Sequence, residues 1–207
     1  MPKNLQTALL ISLLLGAGLF GYSLWAGKEN AFLWLNTDLG NFADQFFRYW
    51  TYAGDGMVWV PVTILILIAR RKYWILAFSS IIISTLIAQL SKNIFFKGLP
   101  RPSLAITDHS IIHTVPGVEL HTMNSFPSGH TTTAFTLFFL ACFFINKKWM
   151  LYTGLVYALL AAYSRVYLAQ HFPIDLSGGI LAASITIFLS VYLQNKWRKI
   201  DSNIISH

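Results

Sequence analysis

Ser164-Arg165-Val166-Tyr167-Leu168-Ala169-Gln170-His171-Phe172-Pro173-Ile174-Asp175 separates two apolar runs near the C-terminus, and its reading decides the fold. It sets an arginine, a histidine and a carboxylate at the edge of apolar sequence. Pro173 is tolerated in the first turn of a helix but breaks an interior, so the stretch predicts a helix starting near Phe172. His171 then stands at the helix N-terminus, with Asp175 one turn further in. At i,i+4 Asp175 can reach one imidazole nitrogen and fix the tautomer, leaving the other free to attack. Arg165, near the end of the preceding helix, can hold phosphate oxygens as a bidentate donor. The positive end of a helix favours the same charge. The plainer reading is a capped helix start beside a snorkelling arginine.

Moving outward, Pro127-Ser128-Gly129-His130 opens the preceding apolar run, and Arg101-Pro102 lies in the loop before it. Ser128 is a good N-cap, and Gly129 lets backbone N–H groups approach an anion. His130 can protonate a leaving oxygen as general acid. Alone, this tetrapeptide reads equally as a capped helix start. Taken together, the two arginines, two histidines, serine and aspartate suit the holding and transfer of a tetrahedral oxyanion. Ionisable groups at the edge of a membrane span are functional by default, because burying them in lipid is costly.

Composition supports the membrane setting. The 207 residues are 55% hydrophobic and 11% charged, with mean hydropathy +0.55, whereas a soluble domain is usually about 25% charged. We expect one domain, all-α: a six-transmembrane-helix bundle with a short outer interfacial segment. The expected spans are 5–26, 54–69, 73–91, 129–145, 149–168 and 173–193, each near the ~20 residues a crossing needs or somewhat short of it. The first is read as a span rather than a cleaved signal, since its apolar region is long and no A-x-A site follows. Residues 28–56 carry Phe32, Leu33, Leu35, Leu39, Phe42, Phe46 and Phe47 at roughly helical spacing. Either an interfacial segment or a helix packed on the bundle fits that pattern.

Nine of the 15 basic residues, Lys3, Arg70, Arg71, Lys72, Lys147, Lys148, Lys196, Arg198 and Lys199, fall on the side of the termini, against one acidic residue, Asp201. The other side receives seven of the eight acidic residues. The positive-inside tendency places both termini in the cytoplasm and the motifs on the far face. The basic residues sit in short clusters between apolar runs, which argues against nucleic-acid binding despite the net charge of +7. Cys142, the only cysteine, allows no intrachain disulfide. The loop 103–126 holds His109, His113 and His121, whose spacings of four and eight match no familiar zinc signature. It is expected to gate substrate rather than bind metal.

R-x5-H-x3-D, P-S-G-H and an upstream R-P, in this order, resemble the type-2 phosphatidic acid phosphatase superfamily, in its integral-membrane lipid phosphatase branch. The resemblance implies that His171 is a nucleophile forming a phosphohistidine, that Asp175 orients it, and that His130 is the acid. Arg101, Arg165, Ser128 and Gly129 would hold phosphate without metal or other cofactor. The family's usual lysine, seven residues before the R-P arginine, is Ile94 here, so Lys92 is preferred over Lys97. The implied partner is a phosphorylated membrane lipid in the bilayer, with no obligate protein partner. Undecaprenyl diphosphate ranks first, ahead of lipid A phosphates and phosphatidylglycerol phosphate. A vanadium haloperoxidase would keep the anion pocket, but those enzymes are soluble. A lipid carrier would leave the histidine–aspartate–arginine set unused. The expected location is the bacterial inner membrane, with the site on the periplasmic face.

Overall fold

The computed structural model describes residues 1–205, with side chains described to residue 200; the side chain of Asp201, counted above, lies outside the described residues. All regular structure among them is helical. The order is α1 (Lys3–Ala26), α2 (Lys28–Leu35), α3 (Asn41–Trp50), α4 (Trp59–Ala69), α5 (Trp74–Leu90), α6 (Pro102–Ala105), α7 (Gly129–Phe144), α8 (Lys148–Tyr167) and α9 (Pro173–Ile205).

α7 is the central post. It is apolar all round, and such a helix is stable only where it is buried. Phe135, Phe138, Phe139, Leu140 and Cys142 are buried against α8 and α9. The hydroxyls of Thr132 and Thr136 donate to carbonyls four residues back, so these polar groups carry no unmet bond into the core. α9 packs on α1, α5 and α7 through small residues. α1 turns Ala8, Ser12 and Gly16 inward, while Leu10, Leu14 and Leu24 face outward. Small residues let backbones approach where lipid removes the hydrophobic drive for helix association. Gly179 shows the closeness: a Cβ there would lie 2.8 Å from the Ser128 carbonyl oxygen.

The exterior is a coat of large apolar side chains, among them Ile64, Ile68, Ile82, Leu181, Phe188 and Tyr192. An exposed apolar surface of this extent marks a membrane protein. Three helical stretches are long and apolar enough to cross a bilayer alone: Lys3–Ala26, Arg71–Phe95 and Pro173–Ile200. The number becomes four if the pair Asn41–Gly54 and Gly56–Ala69, bent by 53°, is one span. The expected span 54–69 opens with 3-10 turns, so α4 itself has 11 residues, and α7 has 16. α9 runs past the expected end at 193 to Ile205, because the polar residues that follow include good helix formers and no breaker. Residues 28–50 form two helices that answer to both earlier readings. Phe32 and Phe47 are buried on the bundle, while Trp34, Leu39 and Phe42 remain exposed.

The two ends of the bundle differ. At one end, the Asn4 N–H donates to Asn146 Oδ1 at 3.2 Å. Here also Gln194, buried on α9, serves α5: its Oε1 accepts from the Leu76 N–H at 3.0 Å, and its Nε2 donates to the Lys72 carbonyl at 2.9 Å. Leu76 is in the first turn of α5, where N–H groups lack helical partners, and Tyr73 offers no side-chain cap. Gln194 is therefore a cap supplied from another helix. Gln194→Leu should destabilise the fold by about 1–3 kcal/mol, since a buried donor is left unmet. Thermal unfolding in detergent, compared with Asn195→Ala as a neighbouring control, measures this.

Candidate active site

The opposite end gathers the motifs. α9 begins at Pro173, as the proline predicts. Asp175 Oδ2 accepts from the Phe172 N–H at 2.9 Å, which is the reach-back of a capping box. The same oxygen lies 3.3 Å from His171 Nδ1 and accepts from Ser125 Oγ at 2.5 Å. The cap and the histidine partner are one carboxylate, so the two sequence readings of Asp175 hold together. Nδ1 is engaged, and Nε2 is the nitrogen left for chemistry. His171 and Asp175 are 1% and 3% exposed, so their alignment is fixed by packing on every side.

Ser128 caps α7, its Oγ accepting from the Thr131 N–H at 3.3 Å and the Thr131 hydroxyl at 2.9 Å. The Ser128 N–H donates to the Asp175 carbonyl at 3.0 Å, which locks the two motifs together. Lys92 joins from α5, whose last turn widens into a π-helix at Ser91–Phe95, closed by the Phe96 N–H on the Ser91 carbonyl. Such a turn holds an extra residue and re-aims the side chains around it. Lys92 Nζ lies 3.7 Å from where a Gly129 Cβ would be, whereas Lys97 sits in an exposed turn. The structure thus brings Lys92, not Lys97, to the motifs.

Arg101 is 8% exposed and held by its backbone neighbours: Nε donates to the Met123 carbonyl at 2.9 Å, and Nη1 donates to the Gln170 carbonyl at 3.1 Å. Arg165 is 7% exposed, and its Nη1 donates to Thr51 Oγ1 at 2.5 Å. Its Nε is buried without a partner among the described residues. Three cations, Lys92, Arg101 and Arg165, act electrostatically on His171. A polar cleft of about 380 Å³, lined by Gln89, Lys92, Asn93, Arg101 and His121, opens beside them.

Several residues at the site were not singled out from the sequence. Ser125 and Gln170 lie next to the motifs and brace Asp175 and Arg101. Thr51 and Asp55 come from the turn before α4, and Asp55 Oδ2 is 3.6 Å from His130 Nε2. The Gly54-Asp55-Gly56 turn was the only local signal for them. Of the three loop histidines, His121 lines the cleft. His113 instead lies between Asp44 Oδ1 at 3.0 Å (from Nε2) and Asp38 Oδ1 at 4.0 Å (from Nδ1). Asp44 also accepts from the Tyr167 hydroxyl at 2.6 Å, and Asn36 Nδ2 donates to the carbonyls of His113, Val166 and Tyr167. The loop is thereby latched to the end of α8, two residues from Arg165.

An all-helical membrane protein with a buried histidine–aspartate pair beside a cluster of cations is the class that fold and site define. The chain belongs to the PAP2 superfamily, whose model matches residues 72–199, more than half of it. It is similar to an undecaprenyl-diphosphatase of Sulfolobus acidocaldarius, 34% identical over 148 residues, which are 69% of this chain and 66% of that protein. The chain therefore spans about two thirds of that relative's length. It is also similar to a lipid A 4'-phosphatase of Bacteroides thetaiotaomicron, 27% identical over 164 residues, covering 73% of this chain and 71% of that protein. Among solved structures, Aquifex aeolicus LpxE superposes with a TM-score of 0.68 at 28% identity, covering 78% of this chain and 92% of that one.

Burial, followed by the charges of Arg101, Arg165 and Lys92, pushes the His171 imidazole well below its ordinary value of about 6.5. Its ring is therefore neutral at pH 7. Removing a cation weakens one of the causes, so Arg101→Gln should move the His171 titration upward. Histidine NMR of the detergent-solubilised protein, assigned with His171→Ala, reads that shift.

Proposed function

We propose that this protein is an integral-membrane lipid phosphatase acting on a phosphate or diphosphate headgroup, with undecaprenyl diphosphate the preferred substrate. One observation carries the reading: two buried arginines and the half-buried Lys92 converge on a neutral histidine held by a buried carboxylate. Such an excess of buried positive charge costs several kcal/mol unless an anion neutralises it. The unpartnered Arg165 Nε is a donor awaiting that anion.

In this reading His171 Nε2 attacks phosphorus, and Asp175 holds Nδ1 and stabilises the charge that forms. Lys92, Arg101, Arg165, Ser128 and the Gly129 backbone clamp the equatorial oxygens, which is the main electrostatic contribution in phosphoryl transfer. His130 protonates the leaving oxygen and then takes a proton from the water that cleaves the phosphohistidine. An apolar slot of about 370 Å³, lined by Phe20, Phe96, Phe126 and Phe172 and reaching Asp175, suits a lipid tail. The higher identity to the undecaprenyl-diphosphatase supports the preferred substrate. Similarity over 73% of the chain to the lipid A 4'-phosphatase favours lipid A phosphate as the second reading.

We further infer six crossings, by α1, α4, α5, α7, α8 and α9, in a bacterial inner membrane. Both termini would be cytoplasmic, with the site on the periplasmic face. The clustering of basic residues on the side of the termini supports this.

Phosphate release from undecaprenyl diphosphate, lipid A and phosphatidylglycerol phosphate, assayed side by side, tests the function. His171→Ala and His130→Ala should each lose at least ~1000-fold, with the double variant little worse than either. Activity should survive excess EDTA and be inhibited by vanadate. Loss with EDTA that a divalent ion restores would refute the metal-free clamp.

Topology is tested by labelling, with Cys142 replaced. Ser110→Cys should react with a membrane-impermeant thiol reagent on intact spheroplasts. Asn146→Cys should react only after the membrane is opened, and the reverse pattern would place the site in the cytoplasm.

A further inference from the structure

The turn before α4 delivers two polar side chains into the site from outside the three motifs. Thr51 accepts a hydrogen bond from Arg165, and Asp55 faces His130. Gly54 seats this turn against the first residues of α7. A Cβ on it would lie 3.0 Å from the His130 carbonyl oxygen and 3.3 Å from the His130 Cβ, so only glycine allows the approach without displacement. Asp55 is oriented by its own backbone. Its Oδ1 accepts from the Met57 N–H at 2.8 Å, which leaves Oδ2 directed at His130 Nε2, 3.6 Å away. The pair is half-buried, the side chains being 25% and 35% exposed.

The other charges around His130 are of the opposite kind. Lys92 on the last turn of α5, Arg101 and His121 from the loop, and Arg165 on α8 all act on it electrostatically. Among the described residues, Asp55 is the acidic group within ion-pair distance of its ring. Burial first, and then these cations, disfavour the protonated ring, and an adjacent carboxylate opposes both. At 3.6 Å the contact is an ion pair longer than a hydrogen bond, so the ring proton remains transferable.

We propose that Asp55 is the positioning residue that favours the protonated form of His130 as general acid, and that it thereby sets how well the site cleaves lipid monophosphates relative to lipid diphosphates. This rests on the phosphatase reading above. When His171 Nε2 bonds to phosphorus, the bond from phosphorus to the leaving oxygen breaks and its electron pair stays on that oxygen. With a lipid monophosphate the leaving oxygen becomes an alkoxide, about as strongly basic as hydroxide. It must receive the His130 proton to leave as the alcohol. With a lipid diphosphate the leaving oxygen belongs to a phosphate monoester, whose second pKa is about 6, so it leaves more readily and depends less on the His130 proton. Water then attacks the phosphohistidine, gives its proton to His130, which has passed its own to the leaving oxygen, and releases phosphate with His171 regenerated. Loss of Asp55 is thus felt most where the proton is needed most.

The test compares Asp55→Asn, which keeps an oxygen for the Met57 N–H, with Asp55→Glu, the wild type and His171→Ala. kcat/KM is measured across pH on undecaprenyl phosphate and undecaprenyl diphosphate. In Asp55→Asn the monophosphate-to-diphosphate ratio of kcat/KM should fall at least ~10-fold, within the range general acid catalysis supplies. The alkaline limb on the monophosphate should move to lower pH, because an adjacent carboxylate favours the protonated ring. Asp55→Glu should restore both in part. An unchanged ratio with an unmoved alkaline limb, or an equal loss on both lipids, would overturn the role of Asp55 while leaving the phosphatase reading intact. A wild type that releases phosphate from neither lipid would instead overturn that reading. The role of Asp55 would then be read from the His130 ring titration by NMR, which Asp55→Asn must lower if the ion pair is as proposed.

Discussion

The Asp175 carboxylate is the constraint on which the rest of this structure depends. One oxygen accepts from the Phe172 N–H, from Ser125 Oγ and, if His171 Nδ1 carries the proton, from the imidazole. Its backbone carbonyl accepts from the Ser128 N–H. A single residue in the first turn of α9 thus fixes the start of its own helix, the start of α7, the loop before α7 and the histidine tautomer. In a buried setting each bond is electrostatically strong, and each missing partner would be costly. That explains why the glycine pair Gly178–Gly179 is placed where α9 meets the 126–131 segment: any side chain there would push the two helix starts apart.

Around this anchor the helices act as a frame that holds cations against their own repulsion. Arg101 is tied to carbonyls of the loop and of Gln170, and Arg165 to Thr51, so neither can swing to water. Lys92 is aimed by the π turn that ends α5. The frame stores an electrostatic imbalance, and a bound anion relieves it. The proposed chemistry follows from that stored imbalance more than from any single side chain.

The bundle separates its tasks by end. Gln194, Asn4 and Asn146 join helices at the end that carries the termini, while the titratable cluster lies at the other. Between them the exterior is apolar, so a ligand with an anionic head and an apolar tail meets complementary surfaces in the right order. The loop 103–126 is not loose over the site. His113, Asp44, Asn36 and Tyr167 fasten it to the end of α8, and His121 forms part of the cleft wall.

Much was legible in the sequence because it is local. Apolar runs dictate helices in lipid, since every backbone group must be satisfied within the segment. Pro173 marks the start of α9, Ser128 the start of α7, and the i,i+4 spacing brings Asp175 to His171. The family resemblance lay in the same local motifs. What the sequence could not supply were contacts between residues far apart in the chain: Thr51 with Arg165 and Gln194 with Leu76, each across more than a hundred positions, and the Asp55 carboxylate with His130, 75 residues on. The placement of Lys92, rather than Lys97, beside the motifs likewise follows from the widened turn at Ser91–Phe95, because helical phase sets the direction of a side chain and a local change of pitch alters it. Spacing along the chain determined which residues share a helix end; only the packing of α7 between α8 and α9 decided which helix ends share a pocket.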